Sequence, residues 1–234
     1  KRTLQVPEGR LLKLSKNRPS PVLYSRNGKN IWKTPYPGEL SYTSPSGETK
    51  NAKIKSVPQP ITLASSWEVE FPMGSDHTIN QTIDSLFSWS VSANEAIRYF
   101  SGTAAYKKHF SLPEKLLKAN YSLELDLGSV SVIAEVIVNG KNLGVLWKRP
   151  FRINLDGHLQ AGINELVIKV TNLWPNRLIG DEYLPKDYEL KNNMIRQWPD
   201  WLISDTIPRK SERTTLPSYK HYNKHSELKT SGLL

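Results

Sequence analysis

Strict alternation of apolar and polar residues marks the clearest stretch of the chain. Tyr121, Leu123, Leu125 and Leu127 fall on one face and Ser122, Glu124 and Asp126 on the other, which predicts a strand with one wet side. Apolar runs at Val132–Val138 and Leu143–Trp147 flank Asn139-Gly140. Asn-Gly accepts the two positive φ values of a type I′ turn, so the pair reads as a β-hairpin. Two more strands are expected before a dense polar and aromatic block, Asn172–Glu182. Upstream, Trp67, Val69 and Phe71 share a face, and Asp84–Ser90 carries Leu86, Phe87 and Trp89. Ile97–Phe110 is β-prone, with a break or bulge at Ser101-Gly102 and with Tyr106 and Phe110 on one face. Pro113–Leu117 is the only helical turn expected before residue 184. Downstream, residues 185–234 read as polar and irregular, with Trp198–Leu202 and a last strand near Glu212–Leu216.

Short strands at regular spacing, separated by turn residues, predict an all-β fold: an antiparallel jelly-roll β-sandwich over residues 61–234. The first sixty residues read differently. Residues 1–14 look like two strand fragments around Pro7-Glu8-Gly9, the tail of a preceding β domain. Residues 15–60 are rich in Pro, Ser, Asn, Gly and Lys and are punctuated by Asn27-Gly28, Pro37-Gly38 and Ser46-Gly47. They are expected to be an irregular connection with short strands at Val22–Ser25 and Ala52–Lys55.

Composition narrows the picture. The chain lacks cysteine, which excludes a disulfide framework and a thiolate zinc site. No apolar run approaches the ~20 residues that span a bilayer, so no membrane span is expected. No signal peptide is seen, and the chain opens at Lys1 instead of Met, from which we expect residues upstream. The net charge of +10 is uneven: residues 1–60 carry 12 Lys+Arg against 3 Asp+Glu, and the rest is nearly balanced. A basic segment can attract nucleic acid or an acidic polymer, but these lysines are scattered and no nucleic-acid motif accompanies them. A solvated connecting segment is the preferred reading, with no nucleic-acid partner. A Gly-x-Ser-x-Gly elbow, a P-loop and a dinucleotide glycine pattern are all absent, which sets aside the common nucleophilic and nucleotide chemistries.

Several motifs carry a resemblance. Leu125-Asp126-Leu127-Gly128, Ala134–Lys141, Leu143–Trp147 and Gly162–Leu166 resemble the sugar-binding sandwich of family 2-like glycoside hydrolases, which has a galactose-binding-like jelly-roll fold. Tyr99–Ala104, Leu146–Arg152, Thr171–Glu182 and the closing Ser231–Leu234 resemble, more narrowly, the C-terminal region of family 106 glycoside hydrolases, bacterial α-L-rhamnosidases. The resemblance covers roughly residues 61–234, with a weaker echo in Leu4–Leu14, and Asn172–Glu182 is its specific part. In that family the catalytic carboxylates sit in an upstream barrel, and nothing here matches it. The resemblance therefore implies a non-catalytic domain whose partner is the catalytic barrel of the same polypeptide. It also implies a parent in the periplasm or outside the cell, and a rhamnose-containing glycan as possible ligand. An independent carbohydrate-binding module is the alternative.

Beside that resemblance, several residues are candidates for chemistry. A glycosidase needs two facing carboxylates ~5–9 Å apart. Asp181 and Glu182 are sequence neighbours that would point apart on an extended segment, and Arg177 near Asp181 suits a structural ion pair. Sugars stack on aromatic faces while amides and charges read their hydroxyls. Trp147, Trp174, Trp198 and Trp201 are the candidate platforms, with Asn172, Asn176 and Arg177 as the polar half around Trp174. For Trp147 and Trp174 the preferred reading is a core or interface aromatic, where most tryptophans of sandwiches end up. The fold that the resemblance implies often holds a structural calcium; Asp76, Asp84 and Asp156 are the candidate ligands, outside any EF-hand-like run. His221 and His225 have i, i+4 spacing, but the surrounding residues, Pro217 among them, argue against a helix and a zinc site there.

Overall fold

The computed structural model describes residues 21–26, 29–44, 46–63, 66–74, 77–118, 121–192, 194–204, 206–207, 211–215 and 221–234. The chain forms two compact units, Lys1–Thr62 and Leu63–Leu234.

In the first unit, β1 (Val22–Arg26) pairs with β2 (Lys29–Lys33), and β3 (Gly38–Thr43) with β4 (Thr49–Ile54), both antiparallel. The second hairpin turns where Gly47 takes a φ of +86°, a conformation that favours glycine. The stretch expected to be irregular is thus largely paired backbone. Its strands are polar and weakly alternating, and each finds its partner only a few residues away. The strand fragments expected within residues 1–14 lie outside the described residues.

The second unit is an all-β sandwich built on one large antiparallel sheet. Its strands are β5 (Trp67–Pro72), β6 (Thr78–Ile83), β7 (Thr103–Leu112), β10 (Ile133–Val138), β11 (Lys141–Leu146) and β13 (Gly162–Thr171). They run in the order β11-β10-β13-β7-β5-β6. Between them in the chain lie β8 (Glu124–Asp126), β9 (Val130–Ser131) and β12 (Arg152–Asn154). The period-2 pattern explains one face of the sheet. Val136, Ile168, Tyr106 and Val69 are neighbours across four strands, and none is more than 1% exposed. Burial of each such aliphatic side chain contributes about 1.5–3 kcal/mol. The outward residues of the same strands pair by charge: Lys107 reaches Glu70 at 2.6 Å and Lys169 reaches Glu135 at 3.4 Å.

The opposing layer is made of short pairs. β8 pairs with β12, and β9 with the last strand, β16 (Gly232–Leu233). They bring Leu125, Leu127, Val130, Ile153 and Leu233 into the same core as the large sheet. The strand predicted from Tyr121 is therefore shorter than its alternation suggests, although Leu127 is buried and Ser122, Glu124 and Asp126 face outward as expected. The Asn139-Gly140 hairpin forms, with φ of +49° and +75° at its two turn residues.

Helix content departs from the expectation. α2 (Lys115–Lys118) is the predicted turn. A 3-10 turn (Trp89–Val91) and α1 (Glu95–Arg98) precede it, the latter capped by Asn94, whose side chain accepts from the Ala96 amide at 3.0 Å. α3 (Pro175–Asp181) occupies most of the Asn172–Glu182 block, where no helix was expected, with Pro175 in the first turn where its missing N–H costs nothing. Further on, β14 (Glu189–Lys191) pairs with β15 (Met194–Gln197), and α4 (Asp200–Ile203) follows. The strand expected near Glu212–Leu216 is not formed over residues 211–215; that segment is held by side chains, not by a ladder.

Truncating the centre of the buried row should be severe. Ile168→Ala is expected to lower unfolding stability by about 2–5 kcal/mol, read from urea denaturation with unchanged slope.

Candidate functional site

The Asn172–Glu182 block folds as the end of β13 followed by α3, and its polar side chains turn inward. Asn172 is 8% exposed. Its amide donates to the Phe100 carbonyl at 2.8 Å and to the Ser231 hydroxyl at 3.3 Å, while its oxygen accepts the Gly102 amide at 2.9 Å. Asn176, 1% exposed, donates to the Lys229 carbonyl at 2.7 Å and to the Ser231 hydroxyl at 3.0 Å, and accepts the Lys229 amide at 2.7 Å. Two buried amides therefore converge on one serine near the end of the chain.

The strand that Ser231 opens is locked from the other side. The Ser231 carbonyl accepts the Trp89 amide at 3.0 Å, and its own amide donates to Ser88 at 3.0 Å. The Tyr106 hydroxyl accepts the Trp89 indole N–H at 2.6 Å and the Leu233 amide at 3.2 Å. Burial pushes the Tyr106 phenol above its ordinary pKa, against the opposing pull of those bonds. Gly232 has a φ of +99°, and a Cβ there would lie 2.5 Å from the Trp89 indole nitrogen. Gly180 is as tightly placed: a Cβ would meet Tyr99 at 2.6 Å, so α3 packs its backbone on that ring.

The charged half of the block is also committed internally. Helical spacing puts Arg177 and Asp181 on one face, and they form an ion pair. The other oxygen of Asp181, fully buried, accepts the Thr214 amide at 2.9 Å, the Thr215 amide at 2.6 Å and the Thr215 hydroxyl at 2.7 Å. Arg213, 2% exposed, donates to the carbonyls of Asp181 and Leu184, to Glu182 at 3.1 Å and to the Tyr188 hydroxyl at 3.4 Å. Its guanidinium also lies 5.3 Å from the Tyr188 ring centroid. Beside it, burial pulls the Asp187 carboxyl upward, but hydrogen bonds from Ser211 and the Trp201 indole outweigh that and hold its pKa below the usual value. This arrangement clamps residues 211–215 onto α3. It offers no pair of open, facing carboxylates.

The structure thus separates the candidate residues. Asn172, Asn176, Arg177, Asp181 and Glu182 come together at α3. Trp174 starts that helix but points out, 55% exposed, and Leu173 beside it is 60% exposed. Trp147 sits elsewhere, at the end of β11, and is 67% exposed. Trp198 is 46% exposed, whereas Trp201 is half-buried. Arg213, Ser231, Trp89 and Tyr106 were not singled out from the sequence as site residues. Ser231 lay in a motif that carried the resemblance; Arg213 lay in the stretch read as a last strand, with nothing local to mark its side chain as buried.

Two of the calcium candidates, Asp156 and Asp84, accept hydrogen bonds from protein donors. Asp156 accepts the Leu123 amide at 2.7 Å, the Ser122 hydroxyl at 2.8 Å and the Asn154 amide at 2.9 Å. Asp84 accepts from Ser66 at 3.3 Å, and Asp76 lies outside the described residues. Among the described residues no three His, Asp or Glu side chains gather as a cation requires.

With this geometry in view, the comparisons with known proteins are informative. No family model matches the chain. A putative beta-glucuronidase from Formosa agariphila is 57% identical over 99% of this chain, which corresponds to 20% of that protein. The structure of a rhamnosidase from Novosphingobium sp. PP1Y is 26% identical and superposes with a TM-score of 0.57, covering 88% of this chain and 19% of the rhamnosidase. This is a glycoside-hydrolase-related region. It spans about a fifth of the length of each of these relatives.

The amide clasp has a direct test. Asn176→Ala leaves the Lys229 amide and carbonyl and the Ser231 hydroxyl short of partners, so a loss of about 1–3 kcal/mol is expected in denaturant unfolding.

Proposed function

We propose that this chain is a non-catalytic β-sandwich region of a larger glycoside hydrolase, an α-L-rhamnosidase-like enzyme of family 106. Its jelly-roll connectivity would be galactose-binding-like, and the parent would work in the periplasm or outside the cell on a rhamnose-containing glycan. The observation that carries this reading is the state of the acids at α3. Asp181 binds two backbone amides, a hydroxyl and Arg177, and Glu182 binds Arg213, so both carboxylates hold the fold together. Glycoside hydrolysis needs one acid free to give a proton and another open to the anomeric carbon or its water. The short span of both relatives supports a catalytic centre supplied elsewhere in the polypeptide.

In this reading Leu173 and Trp174 form the face that packs on the catalytic barrel. They are large, apolar and exposed, and they lead directly into α3, which the Asp181 and Arg213 bonds clamp. The second reading, an independent carbohydrate-binding module, is favoured by the exposure of Trp147, Trp174 and Trp198.

One substitution separates the two. On the 234-residue chain, Trp174→Ala is expected to change stability by less than about 0.5 kcal/mol, because the indole is mostly exposed. In the full-length enzyme the same change is expected to lower melting temperature and turnover. An unchanged melting temperature and turnover there would remove the packing face. Heat on titrating the chain with rhamnose oligosaccharides, lost in Trp174→Ala, would favour the binding module.

A further inference from the structure

We infer that the loop from Trp147 to Arg152 is a subsite for an anionic sugar unit, one that carries a carboxylate or a sulfate. The inference rests on the reading that this region belongs to an enzyme acting on glycans. It concerns a surface that the packing role does not use.

The loop leaves β11, the edge strand of the large sheet, and enters β12. Beside it lies an open groove of about 400 Å³, lined by Asp126, Gly128, Arg149, Pro150, Phe151 and Arg152. Gly128 has a φ of +65°, a conformation that favours glycine, so the groove floor there carries no side chain. The two arginines are in different states. Arg152 is neutralised, 2.8 Å from Asp126 and 3.9 Å from Glu124. Arg149 makes one bond, to the Ser129 hydroxyl at 3.1 Å, and no carboxylate among the described residues pairs with it. Its side chain is exposed. Lys148 likewise has no acidic partner among the described residues; its ammonium lies 5.3 Å from the Trp147 ring centroid.

The juxtaposition is specific in kind. An indole that is 67% exposed, two uncompensated cations and an open groove follow one another within a few residues. A buried structural tryptophan would not leave so much ring in water, and a merely solubilising patch would not need the ring. A pyranose offers an apolar C–H face for the indole, and its carboxylate or sulfate offers the two oxygens that a guanidinium fork binds in parallel. Asp126, held by Arg152, keeps that second arginine in place at the groove edge, so the free charge is concentrated on Arg149 and Lys148.

The test is titration of the 234-residue chain, followed by calorimetry and tryptophan fluorescence. The probes are methyl β-D-glucuronide, glucose 6-sulfate, the neutral methyl β-D-glucoside and inorganic sulfate. Both charged sugars, or one of them, are expected to bind at least tenfold more tightly than the neutral glucoside, with affinity falling as salt rises. Which of the two binds tells the carboxylate from the sulfate. Arg149→Gln and Trp147→Ala, both at exposed positions, should each weaken binding by about tenfold, the first through loss of a charge-assisted contact and the second through loss of the stacked ring. The inference is overturned if the neutral sugar binds as well as the charged ones, if inorganic sulfate binds as well as either sugar, if Arg149→Gln changes nothing, or if no sugar binds at millimolar concentration. None of these results would touch the packing role, which is read from melting temperature and turnover of the full-length enzyme.

Discussion

The sandwich depends on how its last strand is captured. β16 is only two residues long and pairs with an equally short β9, far too little ladder to hold by itself. What holds it is a set of hydrogen bonds, mostly from side chains, made by Asn172 just after β13, Asn176 of α3, Trp89 of the 3-10 turn and Tyr106 of β7. Asn172 and Asn176 converge on Ser231, the Trp89 amide caps the Ser231 carbonyl, and Tyr106 in the large sheet accepts from Leu233. Each group is buried, so each bond lost would leave an unsatisfied polar atom in a low-dielectric interior. Gly232 makes the arrangement sterically possible by letting the backbone run against the Trp89 ring. Ser231 and Leu233 are thus part of the core.

That constraint has a functional consequence. A block rich in Asn, Arg, Asp and Glu looks like a site, yet its polar groups are used inside the fold, on residues 211–215 and 229–231, on Phe100 and Gly102, and in the Arg177–Asp181 pair. The same clamp leaves α3 rigid, with Leu173 and Trp174 turned outward. Outward chemistry is therefore left to exposed aromatics and to the uncompensated cations of the β11–β12 loop. An accessory role is consistent with this division: internal polar groups give a stiff scaffold, and surface groups meet either another domain or a glycan.

Much of the sheet was legible from local pattern. Alternation at Trp67–Phe71 placed a buried face correctly, because period 2 reports directly on which side meets the core. Asn139-Gly140 announced its hairpin for a steric reason that does not depend on context. The failures have a common origin in long-range contacts. α3 is helical where a tryptophan before proline suggests extended backbone, because Asn176, Gly180 and Asp181 must all face inward on one short element. The convergence of Asn172 and Asn176 on Ser231 spans 59 and 55 residues, and no local window contains it. Arg213 is buried by partners about thirty residues away. In the first unit, β1 to β4 pair through backbone ladders, with Glu39–Lys53 and Thr43–Thr49 contacts added across β3 and β4, a pattern that polar and weakly alternating side chains do not advertise.

The most direct measurement is native-state hydrogen exchange at the Leu233 amide, compared with Ile168 in the centre of the sheet. If β16 is locked into the core as described, Leu233 exchanges only through global unfolding, with the same free energy and the same denaturant dependence as Ile168. Exchange of Leu233 at the rate of a fraying terminus, with Ile168 still protected, would contradict the account.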